Sequence, residues 1–384
     1  MTPIGAAALP LALVGFAAAA LVAFVLTPVA GRIAVATGAI DLPGAARRIH
    51  AVPIPRAGGL AVAAAFVAVG GLVLWYNAGA SVVPPVFVPP ERELVALFAG
   101  GLAAVLLGFL DDRYDLQARW QFLGQLALAA AVIAGGSTIE FVNNPFGSGV
   151  IRFTGAFAAG FTGFWVVGMI NSINFVDGLD GLSSGIAMIA ALTLGGISLQ
   201  ASQNEPVVAI LCFVLAGSLA GFLPWNFHPA RIFVGTTGVF LMGYTLAVLS
   251  ILGTAKVAVA LLVLGVPIID TFWIIVRRAA HGQAPFTADR GHLHHRLLDL
   301  GLGHREAVIL IYGMCTMLAI LSFALSGSGQ VYAFLGIVVA GGVVLYLLTR
   351  HTGEALEASS YDPPQGISFP DPDALERTAH DRDV

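Results

Sequence analysis

Long apolar runs separated by short polar clusters dominate the pattern of the chain. A helix that crosses the hydrocarbon core of a bilayer needs about 20 apolar residues, within a range of about 17 to 25. Eleven segments approach that length, namely residues 9–28, 57–76, 94–110, 122–136, 156–170, 182–199, 206–222, 238–252, 257–276, 306–325 and 330–348. Because backbone groups in hydrocarbon must be hydrogen-bonded within their own segment, the pattern predicts an all-α, polytopic membrane helix bundle with about 11 transmembrane helices.

Composition also favours a membrane environment. Of the 384 residues, 58% are hydrophobic and 10% are charged, whereas a soluble domain has about 25% charged residues. The net charge of −4 gives no indication of a nucleic-acid partner. Cys212 and Cys315 lie in separate apolar runs, which is typical of buried thiols rather than of a disulfide. No basic segment precedes the first run, so we interpret it as a retained span and not as a signal peptide.

Basic residues divide the loops into two sets. Fifteen of the 18 Lys and Arg residues fall in one alternating set of loops and in the C-terminal tail, and three fall in the other set. The positive-inside rule makes the first set cytoplasmic, which predicts a plasma-membrane protein with its N-terminus outside and its C-terminus inside. Residues 1–349 then form the membrane domain. Residues 350–384 are acidic and poor in apolar side chains, and are predicted to be a disordered cytoplasmic tail.

Two adjacent carboxylates close the third predicted span. Asp111 and Asp112 repel each other and are costly to desolvate at a membrane boundary, so we expect a cation or a substrate to offset their charge. The structural alternative is a solvated helix end beside Arg113. Asp270, inside the ninth span, is another functional candidate, unless it lies at the cytoplasmic end and pairs with Arg277.

Amide and carboxylate side chains recur at the end of the fifth span. Asn171, Asn174, Asp177 and Asp180 are spaced three residues apart, so a continuous helix would carry all four on one face. Their oxygens suit a hard cation such as Mg²⁺, which is commonly shared with substrate phosphates. Hydrogen bonding between helices is the alternative interpretation.

Histidine and arginine are concentrated in the loop before the tenth span. Arg290, His292, His294, His295 and Arg296 lie within seven residues. Together they predict a cationic surface, rich in hydrogen-bond donors, that suits diphosphate oxygens. A zinc site is the alternative, although closed zinc sites usually include cysteine and this loop contains none.

Six sequence blocks, in one order, resemble the polyprenyl-phosphate N-acetylhexosamine-1-phosphate transferases, which form glycosyltransferase family 4 of the phospho-MurNAc-pentapeptide transferase superfamily. The blocks are RRIHAVPIPRAGG, GFLDDRYDL, NFVDGLDGL, NFHPARIF, PIIDTFWIIVRR and DRGHLHHRLLDLG. The resemblance runs from about Ile40 to Val308. Its His-Leu-His-His-Arg form is similar to the branch that uses UDP-N-acetylglucosamine.

The resemblance implies an enzyme that transfers a sugar-1-phosphate, with N-acetylglucosamine-1-phosphate expected, from a UDP-sugar to polyprenyl phosphate. UMP would be released, and the product would be the first lipid-linked intermediate of a cell-envelope polysaccharide. Mg²⁺ is the implied cofactor, with Mn²⁺ as an alternative. The implied partners are a UDP-N-acetylhexosamine, polyprenyl phosphate and membrane lipid, and a homodimer is left open.

The resemblance also assigns roles to individual residues. The implied catalytic residues are Asp111, Asp112 and Asp177, and the implied metal-binding residues are Asn171, Asn174 and Asp180. The implied substrate-binding residues are Arg48, His50, Asn226, Thr236, His292, His294, His295 and Arg296.

One position departs from the family pattern. Where the family has Gly-Asp-x-Gly-Ser with a metal-binding aspartate, residues 235–239 read Gly-Thr-Thr-Gly-Val, and Thr236 takes the place of the aspartate. A hydroxyl is a weaker ligand than a carboxylate, so metal affinity is expected to fall unless Asp180 or Asp112 compensates. A catalytically impaired homologue and a membrane transporter of an anionic solute remain as alternatives. A transporter would need charged groups near the middle of the membrane, whereas these groups gather at one face.

Overall fold

The computed structural model of the protein describes residues 3–41, 53–85, 88–144, 149–200, 204–253, 257–280, 292–325 and 328–358. Over these ranges the chain is almost entirely helical. The helices are α1 (Pro3–Thr37), α2 (Gly59–Ala80), α3 (Glu91–Tyr114), α4 (Ala118–Ala134), α5 (Gly155–Val176), α6 (Leu182–Ser198), α7 (Pro206–Asn226), α8 (Gly235–Leu252), α9 (Val257–Val263), α10 (Gly265–Ala280), α11 (Leu293–Asp299), α12 (His304–Ala324) and α13 (Ser328–Ala358). The predicted all-α fold class is confirmed.

Two short antiparallel strand pairs lie between the helices. β1 (Ile40–Asp41) pairs with β2 (Ile54–Pro55), and β3 (Phe141–Asn143) pairs with β4 (Val150–Arg152). In the first pair Ile40 lies opposite Pro55, and in the second Phe141 lies opposite Arg152. The first pair brings the segment that follows β2 back against α1.

Each predicted span corresponds to one helix or to one bent pair of helices. Within the described ranges, α1, α2, α3, α5, α7, α8 and α12 are long and apolar enough to cross a membrane. The bent pair of α9 and α10 is an eighth candidate, and α4, α6 and residues 328–343 of α13 are shorter apolar helices. The protein is therefore a multi-pass membrane protein, as the apolar runs predicted.

The ninth predicted span, residues 257–276, is not one straight helix. α9 ends at Val263, α10 begins at Gly265, and the two axes differ by 75°. Pro267 accounts for the break, because a proline has no N–H to bond the carbonyl four residues earlier, which is that of Val263, and its ring crowds the same carbonyl. The apolar pattern continues through the break, so hydropathy alone does not reveal it.

The most enclosed helices are α7 and α8. In the most apolar 18-residue window of each, 83% and 89% of the residues are buried, whereas the corresponding value for α1 is 22%. Glycines let neighbouring helices approach α8 closely. A Cβ on Gly59 of α2 would overlap Gly238, and a Cβ on Gly108 of α3 would overlap the backbone of Thr236. These contacts bring the end of α3 against the beginning of α8.

The chain divides into two compact units, Met1–Gly342 and Val343–Val384. In the second unit the described residues belong to α13, which continues to Ala358. The first residues of the predicted tail, 350–358, are thus helical. Residues 359–384 lie outside the described ranges, so their disorder stays a prediction.

Candidate active site at the ends of α3, α5 and α8

Asp112 joins the last turn of α3 to the first turn of α8. Its side chain is fully buried. Oδ1 accepts a hydrogen bond from the Thr236 N–H at 2.9 Å, and Oδ2 accepts bonds from the N–H and the hydroxyl of Thr237 at 2.9 and 2.6 Å. Arg56 lies 3.6 Å from Oδ1. The free N–H groups and positive end of α8 therefore bind this carboxylate, as helix N-termini commonly do.

Asp111 has a different set of partners. Its Oδ1 accepts hydrogen bonds from the backbone N–H of Leu116 at 3.0 Å and from the Gln121 amide at 2.7 Å. The Thr236 side chain lies beside the Asp111 carboxylate. Thr236, at the position of the family aspartate, therefore acts as a neutral partner of Asp111. A carboxylate at position 236 would instead face Asp111 with like charge.

The predicted stripe of Asn171, Asn174, Asp177 and Asp180 on one helical face is wrong beyond residue 176. α5 ends at Val176, and the chain then turns through Gly181, whose φ is +80°, before α6 begins. Glycine adopts this left-handed conformation without strain, so the Asp-Gly-Leu-Asp-Gly sequence forms a loop rather than another helical turn.

The two asparagines of α5 have different surroundings. Asn171 donates a hydrogen bond of 2.6 Å to Gln125 of α4 and one of 2.8 Å to the Val167 carbonyl, so it links two helices. This is the hydrogen-bonding role that the sequence left open. The Asn174 side chain makes no hydrogen bond with the described residues and is half-buried.

Asp177 lies on the open side of the loop after α5. Ser183 donates its hydroxyl proton to Oδ1 at 2.5 Å, while the second oxygen has no hydrogen bond with the described residues. The residue is solvent-exposed, yet the surrounding protein raises the pKa of its carboxyl group to about 6, chiefly by desolvation. The nearby charges of Asp112 and Asp180 also raise this pKa, whereas Arg56 lowers it.

Asp180 is held by two histidines that are distant in sequence. Its Oδ2 accepts a hydrogen bond from His228 Nδ1 at 2.7 Å and one from the Ala230 N–H at 3.1 Å. The backbone N–H of Asp180 donates to His304 Nε2 at 2.9 Å, which places the proton of that ring on Nδ1. The two rings stack with centroids 4.1 Å apart. Oδ1 of Asp180 has no hydrogen bond with the described residues.

The side chains of Asp180, His228 and His304 also offer ligand atoms that lie within 4.8 Å of one another. A carboxylate and two imidazoles are a donor set that borderline divalent cations accept. In the present arrangement, however, the ring nitrogens His228 Nδ1 and His304 Nε2 are engaged in hydrogen bonds. The cluster therefore fixes the orientation of Asp180 and leaves Oδ1 free.

Asp270 anchors the start of α11. Its Oδ2 pairs with His292 Nδ1 at 2.9 Å, and its Oδ1 accepts a hydrogen bond from the Leu293 N–H at 2.8 Å. The carboxylate thus fixes the histidine-bearing helix to α10. The sequence also offered Arg277 as a partner of Asp270, but the Arg277 side chain is not among those that the structure describes.

His294 faces the loop that carries Asp177. Only 3% of the residue is exposed, and its Nε2 atom is buried without a hydrogen-bond partner among the described residues. The ring lies so close to Gly178 that a Cβ at that position would overlap it. Desolvation, and then neighbouring histidines, keep the pKa of His294 well below its ordinary value. Burial therefore favours the neutral form of His294.

Five further residues were predicted to bind substrate, namely Asn226, His295, Arg296, Arg48 and His50. Asn226 is buried, donates a hydrogen bond of 3.1 Å to the Ile232 carbonyl and accepts one of 2.8 Å from Ser184, so its amide braces the loop after α7. The His295 ring lies beside that of His294, with centroids 4.4 Å apart and planes tilted by 45°, and Arg296 is buried in α11. Arg48 and His50 lie outside the described residues.

Comparison with known proteins assigns the chain to a family. The sequence profile of glycosyl transferase family 4 matches residues 94–254. A probable undecaprenyl-phosphate N-acetylglucosaminyl 1-phosphate transferase of Bacillus subtilis (strain 168) is 34% identical over 346 residues, covering 88% of this chain and 92% of that protein. The chain belongs to glycosyl transferase family 4. The resemblance predicted from the six sequence blocks is confirmed.

Two other relatives also match over most of the chain. A decaprenyl-phosphate N-acetylglucosaminephosphotransferase of Mycolicibacterium smegmatis is 33% identical over 370 residues and covers 88% of each chain. An undecaprenyl-phosphate alpha-N-acetylglucosaminyl 1-phosphate transferase of Escherichia coli O157:H7 is 29% identical over 301 residues, with 76% and 77% coverage.

The structure brings most of the predicted residues of this family 4 protein to one end of the bundle. Asp112 is hydrogen-bonded to Thr236, and Asp111 is adjacent to both. Asp177 lies within electrostatic range of Asp112 and Asp180, and His294 lies against the loop between Asp177 and Asp180. Sequence reasoning missed the residues that position these groups, namely Gln121, Gln125, Ser183, His228, Thr237 and His304. His228 and Asp180 both lie in quoted sequence blocks, but their pairing was not visible from the sequence.

Proposed function

We propose that the protein transfers N-acetylglucosamine-1-phosphate from UDP-N-acetylglucosamine to polyprenyl phosphate and releases UMP. The product is the first lipid-linked intermediate of a cell-envelope polysaccharide. The observation that carries the proposal is the convergence of four carboxylates, Asp111, Asp112, Asp177 and Asp180, at one end of a bundle with the sequence of family 4. The names of the relatives support the donor sugar and the acceptor lipid.

The reaction exchanges one phosphoanhydride for another. An oxygen of the lipid phosphate attacks the phosphorus that carries the sugar, the bond from this phosphorus to the UMP oxygen breaks, and UMP leaves with the electron pair. A phosphate monoester has a second pKa of about 6, so the nucleophile is already largely ionised and needs no strong base. Positioning and charge neutralisation are therefore the main tasks of the protein.

The carboxylates would divide these tasks according to their hydrogen bonds. Both oxygens of Asp112 are engaged with α8, so Asp112 acts as a positioning residue that holds the α3–α8 junction. Asp177 and Asp180 each keep one oxygen without a hydrogen bond to any described residue, and these oxygens would bind the cation and the nucleotide. The neutral His294 adds a polar nitrogen beside this loop. His295, Arg296, Arg48 and His50 are proposed to bind phosphate oxygens.

The donor set fits a magnesium ion. Mg²⁺ is usually bound by one or two carboxylates together with substrate phosphates and water. The free oxygens of Asp177 and Asp180, whose charges act on each other, supply such a pair, and Asn174 offers an unpaired amide nearby in sequence. When bound, the ion would neutralise charge on the diphosphate and on the departing UMP. Mn²⁺ accepts the same oxygen ligands.

The activity can be tested with purified protein in lipid nanodiscs. Polyprenyl phosphate is supplied with a panel of UDP-sugars, and both UMP and the lipid product are measured with Mg²⁺ and with a chelator. We expect UDP-N-acetylglucosamine to give the fastest release of UMP and the chelator to abolish it. A folded protein that releases no UMP with any sugar would instead support the impaired-homologue interpretation.

We further propose that the active site faces the cytoplasm, since the basic residues favour that side. Single cysteines replace exposed residues: Gln117→Cys and Leu300→Cys on the proposed inner side, and Arg152→Cys on the outer side. A membrane-impermeant maleimide added to intact cells should label only the last variant, because the native Cys212 and Cys315 are buried. All three should react in opened membranes. Labelling of Gln117→Cys or Leu300→Cys in intact cells would contradict the orientation.

A further inference from the structure

A cavity of about 450 Å³ lies between α1, β2 and the loop that follows α7. It extends along α1 from Thr27 to Ala36, a helical distance on the order of 14 Å. Among the residues that the structure describes, none of those proposed to be catalytic, metal-binding or substrate-binding lines it. The walls are almost wholly apolar, and Gly31 leaves room where other residues would place a side chain.

The charged groups that line this cavity are both arginines. Arg32 and Arg231 are exposed, and neither has a carboxylate partner among the described residues. The guanidinium of Arg231 lies 5.7 Å from the centre of the Trp225 ring, which also lines the cavity. Arg56 differs from both, because it lies within 4 Å of the carboxylates of Asp41 and Asp112. The cavity therefore combines an apolar interior with two arginines that have no carboxylate partner in the part of the chain that the structure describes.

The cavity adjoins an exposed apolar surface of α1. α1 is the least buried of the long apolar helices among the described residues. Its exposed side chains next to the cavity include Val29, Ile33 and Val35. Phe24, one turn earlier, packs on Trp225 with ring centroids 5.4 Å apart. An acyl chain lying along α1 can therefore reach the cavity without leaving an apolar environment.

We propose that this cavity binds one phospholipid with an anionic headgroup, such as phosphatidylglycerol. Its acyl chain would occupy the apolar interior beside Gly31, and its phosphate would be bound by Arg32 and Arg231. Arginine side chains form strong, charge-assisted hydrogen bonds with phosphate oxygens. Basic residues at a membrane surface also favour anionic over zwitterionic lipids.

A lipid in this position would contact two segments that frame Asp112. Pro55, which lines the cavity, precedes Arg56 and accepts a hydrogen bond of 2.8 Å from the Phe233 N–H. The Phe233 carbonyl in turn accepts one of 2.9 Å from Gly58. Because a ligand that binds only the folded state stabilises it, bound phosphatidylglycerol should raise the thermal stability of the protein.

The test measures lipid retention, so it is independent of transferase activity. The protein is reconstituted with phosphatidylcholine alone or with added phosphatidylglycerol, and bound lipid is counted by native mass spectrometry and by the shift in unfolding temperature. Wild type should retain one phosphatidylglycerol. The double variant Arg32→Gln/Arg231→Gln should bind it roughly 25-fold more weakly, since each basic residue contributes about a fivefold preference.

Two further variants separate the contribution of the apolar interior from that of the two arginines. Gly31→Leu fills the cavity and keeps both arginines, and its Cβ would lie in ordinary contact with Ile232, 3.6 Å from Cδ1. It should also lose the lipid. Arg119→Gln is the matched control, because Arg119 lies over Trp120 at 5.5 Å but does not line the cavity. It should retain phosphatidylglycerol like wild type.

Several results would overturn the proposal. Equal retention of the two phospholipids by wild type, or unchanged retention in the arginine double variant and in Gly31→Leu, would exclude a specific anionic-lipid site. Displacement of phosphatidylglycerol by polyprenyl phosphate, with a raised KM for that acceptor in the Gly31→Leu variant, would show an acceptor site instead. A dimer that dissociates in Gly31→Leu would show that a second copy of the chain occupies the cavity.

Discussion

Asp112→Asn is expected to lower turnover roughly 10²-fold or more and to lower the unfolding temperature as well. The asparagine NH₂ group would face an N–H of Thr236 or Thr237, where the wild-type carboxylate accepts a hydrogen bond. A buried polar group left without a partner costs about 1–3 kcal/mol. Arg56 would also lose its buried counter-charge. UMP release and thermal unfolding in the same detergent preparation measure both effects.

Asp177→Asn should give a comparable loss of turnover with little change in stability. Asp177 is exposed and has one hydrogen-bond donor, Ser183, so its replacement disturbs few buried contacts. A change within about 0.5 kcal/mol is typical of such positions. Asp115→Asn is the matched control, because Asp115 is an exposed carboxylate with φ of +52°, a conformation that asparagine tolerates. Near-normal turnover in both Asp112→Asn and Asp177→Asn would restrict these carboxylates to a structural role.

Thr236→Asp is expected to lower the Mg²⁺ concentration needed for half-maximal UMP release. In the native protein the neutral Thr236 side chain lies beside Asp111, so the site has one negative charge fewer than the family pattern. The added carboxylate would lie beside Asp111 and attract a hard cation more strongly. Each 1.4 kcal/mol regained corresponds to about a tenfold shift in half-saturation. A titration of UMP release against Mg²⁺ in the two proteins measures the shift.

Thr236→Asn is the control for this experiment, since it has the shape of aspartate without the charge. Because it removes the Thr236 hydroxyl without adding charge, the Mg²⁺ concentration for half-maximal UMP release should be no lower than in wild type. The opposite outcome for Thr236→Asp is also informative. In that case wild type saturates at low Mg²⁺ while Thr236→Asp lowers activity. That result would mean that Asp180 already supplies the needed charge and that the new carboxylate repels Asp111. It would exclude a weakened native metal site.

The helices were predictable because each one has to bury its own backbone hydrogen bonds in lipid, and this requirement leaves a long apolar run in the sequence. The interruptions were harder to predict. Pro267 lies inside an apolar run that looks continuous, although its missing N–H is the physical cause of the bend between α9 and α10. The end of α5 depends on the loop from Asp177 to Gly181, whereas the spacing of the polar residues suggested a longer helix.

The reactive residues of the site were recognisable from local sequence, but their partners were not. Asp180 meets His228 and His304, which are 48 and 124 residues away along the chain. Asp112 meets Thr236 across 124 residues. Such contacts result from the packing of whole helices, and no local spacing records them. The neutral state of His294 likewise depends on burial, which the residue type does not reveal.

Gly108 carries no group that can react, yet it lies where α3 meets the backbone of Thr236, and a single methyl group there would separate the two helices. The absence of a Cβ at Gly108 therefore allows the short distance between Asp112 and its hydrogen-bond donors on α8. Selection for activity would retain this glycine as strictly as it retains a carboxylate. If position 108 is invariant among homologues, the cause would be the required spacing between α3 and α8. A ranking of positions by invariance would then group Gly108 with residues that contact substrate, although it does not take part in the reaction.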